Sequence, residues 1–336
     1  MPQIMHLEHV VPRSRILGTG SYLPEQVVSN LDLEERFGTT TAWVEKHTGI
    51  LRRRIAAEGE TTSDMAAVAA RRAIEAAGLS VADLDLIILA TSTGDSPLPA
   101  SAVHLQKKLG ADLIPAFDVN ASSTGFLYGL SIADQFVAAG TYKTVLVVGA
   151  DCPSRILRPA DRTGAALFGD GAGAVVVGPT RDDRGILSCR IHADGSLAGL
   201  MQVPGGGSAE PMTVEALEQG RHYLEVNGRE LYTVTVKHLT SYSMQALKAA
   251  KLTSAELNWV IPLQANMKIV TTISERLGFP LSRFVLNLAE CGNTMAASLP
   301  IALDEGVRDE RVQGGQTVLL CALGAGVTWG AMMVRM

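Results

Sequence analysis

Ala73-Ile-Glu-Ala-Ala-Gly-Leu-Ser-Val-Ala-Asp-Leu-Asp-Leu-Ile-Ile-Leu89 returns, altered, as Ala246-Leu-Lys-Ala-Ala-Lys-Leu-Thr-Ser-Ala-Glu-Leu-Asn-Trp-Val-Ile-Pro262. The two stretches start 173 residues apart, and so do Thr144-Val-Leu-Val-Val148 and Thr317-Val-Leu-Leu-Cys321. Two matches at one spacing mark an internal duplication. In the first copy, Met65 to Gly78 is Ala-rich with no internal Gly or Pro. Thr62, Ser63 and Asp64 precede it as capping side chains and Gly78 stops it, so it predicts a helix. Leu86 to Ala90 is a continuous apolar run, as in a strand buried on both faces. Each copy reads strand, helix, strand, helix, strand, strand, opened by Arg15-Ile-Leu-Gly18 and by Arg184-Gly-Ile-Leu187. Such alternation predicts βαβ units and largely parallel sheets. The expected fold is α/β, with halves 1–180 and 181–336 sharing one core in a five-layered α-β-α-β-α stack. Gly171-Ala-Gly173 and Gly324-Ala-Gly326 lie only 153 apart, which assigns the first half about 20 extra residues, roughly Asp151 to Asp170.

The 336 residues carry 29 basic and 34 acidic side chains, a net charge of -5. No basic field exists to hold nucleic acid. The apolar runs are strand-sized and too short for a membrane span. The opening Met1-Pro-Gln-Ile-Met-His6 lacks the pattern of a secretion signal. Cys152, Cys189, Cys291 and Cys321 are scattered and never form CxxC, which argues against zinc or a disulfide framework and fits a reduced cytoplasm. His6, His9, His222 and His238 have no partner at metal spacing and read as surface residues. No metal or other cofactor is expected.

Phe117-Asp-Val-Asn-Ala-Ser-Ser-Thr-Gly-Phe126 falls where a strand yields to a helix running through Leu127 to about Ala139. Ser123 then stands at a helix N-terminus, whose free N–H groups stabilise developing negative charge. The second half has Ile261-Pro-Leu-Gln-Ala-Asn266 after a strand and Cys291-Gly-Asn-Thr-Met-Ala-Ala-Ser298 before a helix. Together with Ile16-Leu-Gly-Thr-Gly-Ser-Tyr-Leu-Pro24, Trp43, Thr48-Gly-Ile50, Phe168-Gly-Asp-Gly-Ala-Gly173 and Thr328-Trp-Gly330, these motifs resemble the thiolase superfamily over nearly the whole chain. The resemblance is strongest to β-ketoacyl-acyl-carrier-protein synthase III. It implies a thiolase-like duplicated fold and a homodimer, with a heterodimer beside an active paralogue as the alternative. It also implies acyl-CoA as substrate, acyl transfer to a cysteine, and condensation with a malonyl-carrier protein through Cys, His and Asn.

On that pattern Ser123 stands at the cysteine position and Leu263 at the histidine position, while Asn293 keeps the asparagine. A thiol with a pKa near 8.5 is brought toward neutrality by a helix end. A serine hydroxyl stays neutral there and needs a base, which Leu263 is not. Condensation is therefore expected to be very weak or absent. By the same resemblance Trp43 and Arg162 flank the adenine of CoA, and His47 replaces an arginine at that edge. Leu98 reaches across the dimer to the pocket floor, where a smaller residue than Phe leaves a deeper acyl cavity. Gly324 and Ala325 belong to the substrate-binding set. Thr233, Met267 and Glu275 stand at positions that are often basic, with Arg276 retained, so docking of an acidic carrier protein weakens and CoA thioesters are favoured.

Four readings follow. One is an acyltransferase of fatty-acid or polyketide-type metabolism, in which Ser123 holds an ester or the pocket positions a thioester for an alcohol or amine. His192 or His104 would serve as base only if the fold brings one beside Ser123. The second is a non-catalytic partner of an active ketosynthase, and the third a condensing enzyme engineered to inactivity at its two reactive positions. The fourth, a serine hydrolase using Ser123, is disfavoured because Asn120-Ala-Ser-Ser-Thr-Gly125 is not G-x-S-x-G. Other motifs have plainer readings. Gly169-Asp-Gly-Ala-Gly173 reads as a tight turn, Gly18-Thr-Gly20 as no dinucleotide fingerprint, Arg52-Arg-Arg54 as a solvated face, and all four cysteines as core.

Overall fold

The computed structural model describes residues 13–336, so the opening stretch with His6 and His9 lies outside the described residues. The first half runs β1 (Arg13–Tyr22), β2 (Gln26–Ser29), α1 (Asn30–Phe37), α2 (Thr41–Thr48), β3 (Arg52–Ile55), α3 (Thr62–Ala76), β4 (Leu86–Ala90), α4 (Ser101–Leu109), β5 (Ala116–Val119), α5 (Gly125–Ala138), β6 (Val145–Asp151), α6 (Arg162–Leu167) and β7 (Gly171–Thr180). The second runs β8 (Gly185–Ala193), β9 (Met201–Gln202), α7 (Val214–Glu218), β10 (Glu225–Val226), α8 (Gly228–Ala249), β11 (Trp259–Pro262), α9 (Met267–Leu277), α10 (Leu288–Cys291), α11 (Ser298–Arg308), β12 (Thr317–Gly324) and β13 (Thr328–Arg335). The duplication is kept to the residue: α3 and α8 end at Ala76 and Ala249, and α5 and α11 begin at Gly125 and Ser298, each pair 173 apart. Helix α3 starts earlier than its apolar pattern predicts. Thr61 caps the Asp64 N–H while the Asp64 carboxylate accepts the Thr61 N–H at 3.0 Å, a reciprocal box that adds a turn.

One sheet has the order β1-β7-β6-β4-β5 and the other β11-β12-β13-β8, which is the same order without its fifth strand. A single bridge from Val260 to Phe284 stands in that fifth place. The sheets are mixed rather than largely parallel. Only β4–β5, β4–β6 and β11–β12 run parallel. The last two strands of each half pair antiparallel, β12 and β13 through a short hairpin and β6 and β7 across the connection 152–170 that carries α6.

Alternate residues of the continuous apolar strands serve opposite faces. Leu86, Ile88, Val145 and Val147 face α5 and α11, where Ile261, Leu320 and Met332 meet them from the other sheet. Ile87, Leu89, Leu146 and Val148 pack beneath α3 and α4. Val260, Leu319 and Cys321 pack beneath α8 and α9. Three apolar clusters among three helical layers and two sheets give the expected α-β-α-β-α thiolase-like stack.

Two sequence expectations change. Gly171-Ala-Gly173 opens β7 instead of making a turn, although the close approach is real: a Cβ at Gly173 would lie 2.6 Å from the Ile301 N. Asp151 pairs with Gly171 and Gly324 with Thr328. The counterpart of Gly324 is thus Asp151, and the connection 152–170 of nineteen residues answers the three residues 325–327, an excess of sixteen instead of twenty. Arg52-Arg-Arg54 is not one solvated run either. Arg53 is buried and donates to Val28 O at 3.0 Å, Asn30 Oδ1 at 2.9 Å and Ala166 O at 3.0 Å, and burial lowers its pKa to about 10. It ties β2, α1 and α6 into one block.

A Cβ at Gly18 would lie 2.4 Å from Ala73 O, so α3 rests directly on the β1 backbone. Gly18→Val is expected to lower stability by about 3 kcal/mol, read as a reduced denaturant midpoint. A wild-type midpoint in that variant would contradict this packing.

Candidate active site

A cavity of about 440 Å³ brings Ser123, Leu263, Asn293 and Gly324 together. Phe168, Met201, Leu224, Leu231 and Leu323 form its apolar wall.

Ser123 sits in the 3-10 turn Ser122–Thr124 that leads into α5 and is 3% exposed. Ser122 has a φ of 50°, which lets the chain reverse tightly enough to enter the helix. The turn is bolted to the β12–β13 hairpin: the Thr124 hydroxyl donates to Thr328 O at 3.1 Å, and the Thr328 hydroxyl to Ala121 O at 2.9 Å. The Thr124 N–H donates to Ala121 O, and the Ser122 N–H to Asn120 Oδ1. The Ser123 N–H has no hydrogen-bond acceptor among the described residues. A Cβ at position 324 would stand 2.7 Å from that nitrogen, so only glycine fits there.

Asn293 is fixed by its backbone, which donates to Leu167 O at 2.8 Å and accepts from the Gly169 N–H at 3.1 Å. Its Oδ1 accepts the Met295 N–H at 2.9 Å, so the amide NH₂ is the group left for the cavity. Leu263 follows β11, its N–H donating to Cys321 O at 2.8 Å. Gln264 is consumed by the fold, donating to Pro262 O at 2.9 Å and accepting from the Leu288 N–H at 3.2 Å. Asn266 caps α9 and donates to His47 O at 3.3 Å.

The deep end thus presents a hydroxyl, an amide NH₂ and a backbone N–H, with a leucine beside them and no imidazole. The ionisable side chains lining the cavity are Asp161 and Tyr232. Asp161 Oδ1 is engaged in capping α6 through Thr163 and Gly164, and the exposed Tyr232 bonds Thr272 at 3.0 Å. The His192 ring lies tilted 4.5 Å from that of Tyr242 and His104 lies on α4; neither lines the cavity. His222 and His238 are half-buried against Tyr223 and Trp329, at 3.9 and 4.1 Å, and are not the surface residues the sequence predicted. Among the described residues no group of His, Cys, Asp and Glu could hold a metal, and no helix is long and apolar enough to cross a membrane.

Trp43 and His47 lie one turn apart on α2 with rings stacked at 4.6 Å. His47 lines a second cleft with Lys46, Tyr232, Lys268 and Glu275, and Tyr232 is shared with the main cavity, so the two openings adjoin. Arg162, exposed, opens α6 beside the cavity residues Asp161 and Thr163. Lys268 is a basic group that the sequence reading passed over in naming its neighbour Met267. Ala325 packs behind the wall against Phe168, Met201 and Met295, whereas Gly324 is on it. Leu98 is 86% exposed and lines neither opening in the single chain. Met201, Leu224 and Thr235 were not foreseen as wall residues: the first two lie in a segment the duplication does not repeat, and Thr235 is one small polar residue in a helix.

Sequence profiles of the 3-oxoacyl-[acyl-carrier-protein] synthase III family match residues 117–195, and those of its C-terminal part match 247–336. The chain is 45% identical to the β-ketoacyl-[acyl-carrier-protein] synthase III of Paramagnetospirillum magneticum, over 97% of this chain and 100% of that one. It superposes on the 3-oxoacyl-[acyl-carrier-protein] synthase III of Aquifex aeolicus with a TM-score of 0.89 at 40% identity, covering 96% and 100% of the two chains. With the priming β-ketosynthase of the R1128 polyketide pathway the TM-score is 0.88 at 34% identity, covering 96% and 95%.

Burial pushes the thiols of Cys152 and Cys321 up to about 12, that of Cys189 to about 11, and that of Cys291 upward as well. None is a thiolate near neutrality. Alkylation of Cys152, Cys291 and Cys321 at pH 8 is expected to be at least about 100-fold slower in the folded protein than after unfolding. Rapid native labelling of any of the three, followed by peptide mapping, would refute that.

Proposed function

The chain belongs to the 3-oxoacyl-[acyl-carrier-protein] synthase III family, and on that premise we propose that it is an acyl-CoA-binding acyltransferase of fatty-acid or polyketide-type metabolism whose chain-extending step is impaired. Ser123 takes the place of the family's nucleophilic cysteine and Leu263 that of its histidine. The observation that carries the reading is the convergence of Ser123, Leu263 and Asn293 on one cavity with hydrogen-bond donors and no base at its deep end.

In this reading the thioester carbonyl oxygen rests on the Ser123 N–H and the Asn293 NH₂. The acyl chain lies along Met201, Leu224 and Leu323. The nucleotide end of CoA lies outside, near Trp43, His47 and Arg162, with Lys46 and Lys268 supplying positive charge. For Ser123 to take the acyl group, its oxygen must bond the carbonyl carbon while its proton leaves and the CoA sulfur departs. With no imidazole to receive that proton, transfer is slow. Condensation suffers twice, because the enolate formed by decarboxylation keeps Asn293 as its only side-chain donor. A hydrolase is less well supported for the same reason, since it too needs the missing base.

A homodimer fits the edge of the first sheet. β5 has one strand neighbour, and Leu98 and Leu113 nearby are 86% and 100% exposed. Pairing with a second copy would cover all three.

Incubation with acyl-CoAs from acetyl to palmitoyl, followed by intact-mass and peptide analysis, is expected to show slow acylation of Ser123 that is absent in Ser123→Ala. Ser123→Cys with Leu263→His is expected to raise condensation by roughly 100-fold or more. Tight acyl-CoA binding with no adduct would replace the transferase with a non-catalytic partner subunit. No acyl-CoA binding at all would end the proposal.

A further inference from the structure

The turn that aims Asn293 is held from outside by one side chain. Met295–Ala297 is the internal counterpart of Ser122–Thr124, 173 residues on, and Ser122 and Met295 both have φ of 50°. Left-handed backbone is costly for a side chain as bulky as methionine and persists only where neighbours enforce it. Asn293 Oδ1 accepts the Met295 N–H at 2.9 Å, the Ala297 N–H donates to Thr294 O at 3.1 Å, and the Ala296 N–H donates to Asp151 Oδ2 at 3.0 Å. The two oxygens of Asp151 have different partners. Oδ1 accepts the Ser92 and Thr93 N–H groups at 2.8 and 3.1 Å and the Thr91 and Thr93 hydroxyls at 3.1 and 2.7 Å, which fixes it to the segment after β4. Oδ2 has Ala296 as its one donor among the described residues. Asp151 ends β6, and the residue that ends β12 in the equivalent position, Gly324, has no side chain to offer the first turn.

We propose that Asp151 is a positioning residue for Asn293: by holding the Ala296 N–H it keeps Met295 left-handed, and the Met295 N–H in turn keeps the Asn293 NH₂ aimed into the cavity. The proposal rests on the reading of the cavity as a ketosynthase-type site with Asn293 as a donor, and adds the residue that orients that donor. Asp151, Met295 and Ala296 are 0%, 2% and 0% exposed, so bulk water does not stand in for a lost contact. Ala296 O lies against Gly149, where a Cβ would be 2.3 Å away. The turn therefore has no room to slide, and it answers a lost contact by rotating a peptide plane. Rotation at Met295 withdraws the N–H from Asn293 Oδ1 and frees the amide to turn. Burial raises the Asp151 pKa against the pull of its donors. The contact to Ala296 needs only an oxygen lone pair, which the acid and the carboxylate both keep. Asp151 does not line the cavity, so its influence on the chemistry passes through the turn.

The test uses the full chain carrying Ser123→Cys and Leu263→His, with acylation of position 123 and condensation measured separately. Condensation draws on the Asn293 NH₂, whereas acylation draws on the nucleophile and the N–H of residue 123. Asp151→Asn sets an NH₂ against the Ala296 N–H or against those of Ser92 and Thr93, whichever way the amide turns. It is expected to lower condensation about tenfold or more, as misaiming a reactive group does, and acylation by less than about threefold. Added to Asn293→Ala, it is expected to lower condensation no further. Asp151→Ser withdraws the oxygen from Ala296 without placing a donor there. It is expected to give the same split, and it serves if Asp151→Asn does not fold. Thr93→Val, which takes one hydroxyl from Oδ1 and leaves Oδ2 in place, is expected to lower the denaturant midpoint and keep the ratio of the two rates. Equal loss of both rates on changing Asp151, or a further loss on top of Asn293→Ala, overturns the inference. If the chain with Ser123→Cys and Leu263→His does not condense, the ketosynthase reading fails and spectra decide the inference. With asparagine labelled with nitrogen-15, the side-chain NH₂ pair that vanishes in Asn293→Ala is expected to shift in Asp151→Asn; an unmoved pair overturns the inference.

Discussion

Two buried turns, each packed backbone-to-backbone against the end of a strand from the opposite half, hold this molecule in register. A Cβ on Gly149 would lie 2.3 Å from Ala296 O, and one on Gly324 2.7 Å from the Ser123 N. Such distances leave no room for sliding, so the turn preceding α5 fixes one sheet and the turn preceding α11 fixes the other. The central helix pair and both strand ends are then placed together, and the apolar layers on either side follow. A peptide N–H held in such a turn must still find an acceptor or face a ligand. At Met295–Ala297 the Ala296 N–H donates to Asp151 Oδ2 at 3.0 Å, whereas Gly324 offers the Ser123 N–H no side-chain acceptor and leaves it to the cavity.

Pseudo-symmetry alone would produce two equivalent sites. The segments that the duplication does not repeat make only one. Residues 152–170 and 194–227 meet where the Leu224 N–H donates to Ile156 O at 2.8 Å and Arg158 lies 5.3 Å over the Tyr223 ring. Together they roof Ser123 with Leu167, Met201 and Leu224. The block containing α1 and α2, held by the buried Arg53, brings His47 to the adjoining cleft with Trp43 stacked on it. The symmetric frame supplies the reactive turn, and the asymmetric additions supply a pocket around it.

This division also explains what could be read from the sequence. Elements inside the repeat were legible because two copies test each other: the 173-residue spacing marks α3, β4, β6, β11 and β12. Ser123 was legible by itself only as a helix-start residue; its place as a site residue, and those of Leu263 and Asn293, came from the resemblance of their motifs to the ketosynthase family. The pocket walls were not legible, since Met201 and Leu224 come from an unrepeated segment whose placement depends on long-range docking. Arg53 misled for another reason. Three consecutive arginines read as solvated charge, yet on a strand alternate residues point to opposite faces, and the middle one turned inward to carbonyls that composition does not reveal. The match of Gly171-Ala-Gly173 with Gly324-Ala-Gly326 misled because Gly173 and Gly324 are demanded by close backbone approach at places that are not equivalent in the two halves.

The pattern of donors without a base decides what such a site does well. In the proposed reading the Ser123 N–H and the Asn293 NH₂ hold the carbonyl oxygen and bind it more strongly as charge develops, but nothing at the deep end takes the proton that must leave Ser123. A cysteine at position 123 would add a nucleophile whose proton is already partly lost, and a histidine at 263 a group that changes charge during turnover. In the proposed reading, serine at 123 and leucine at 263 leave the pocket without either group able to respond as the reaction proceeds. A long-lived acyl ligand, held by oxygen-seeking donors in an apolar roofed cavity, follows from that change more directly than a fast catalyst does.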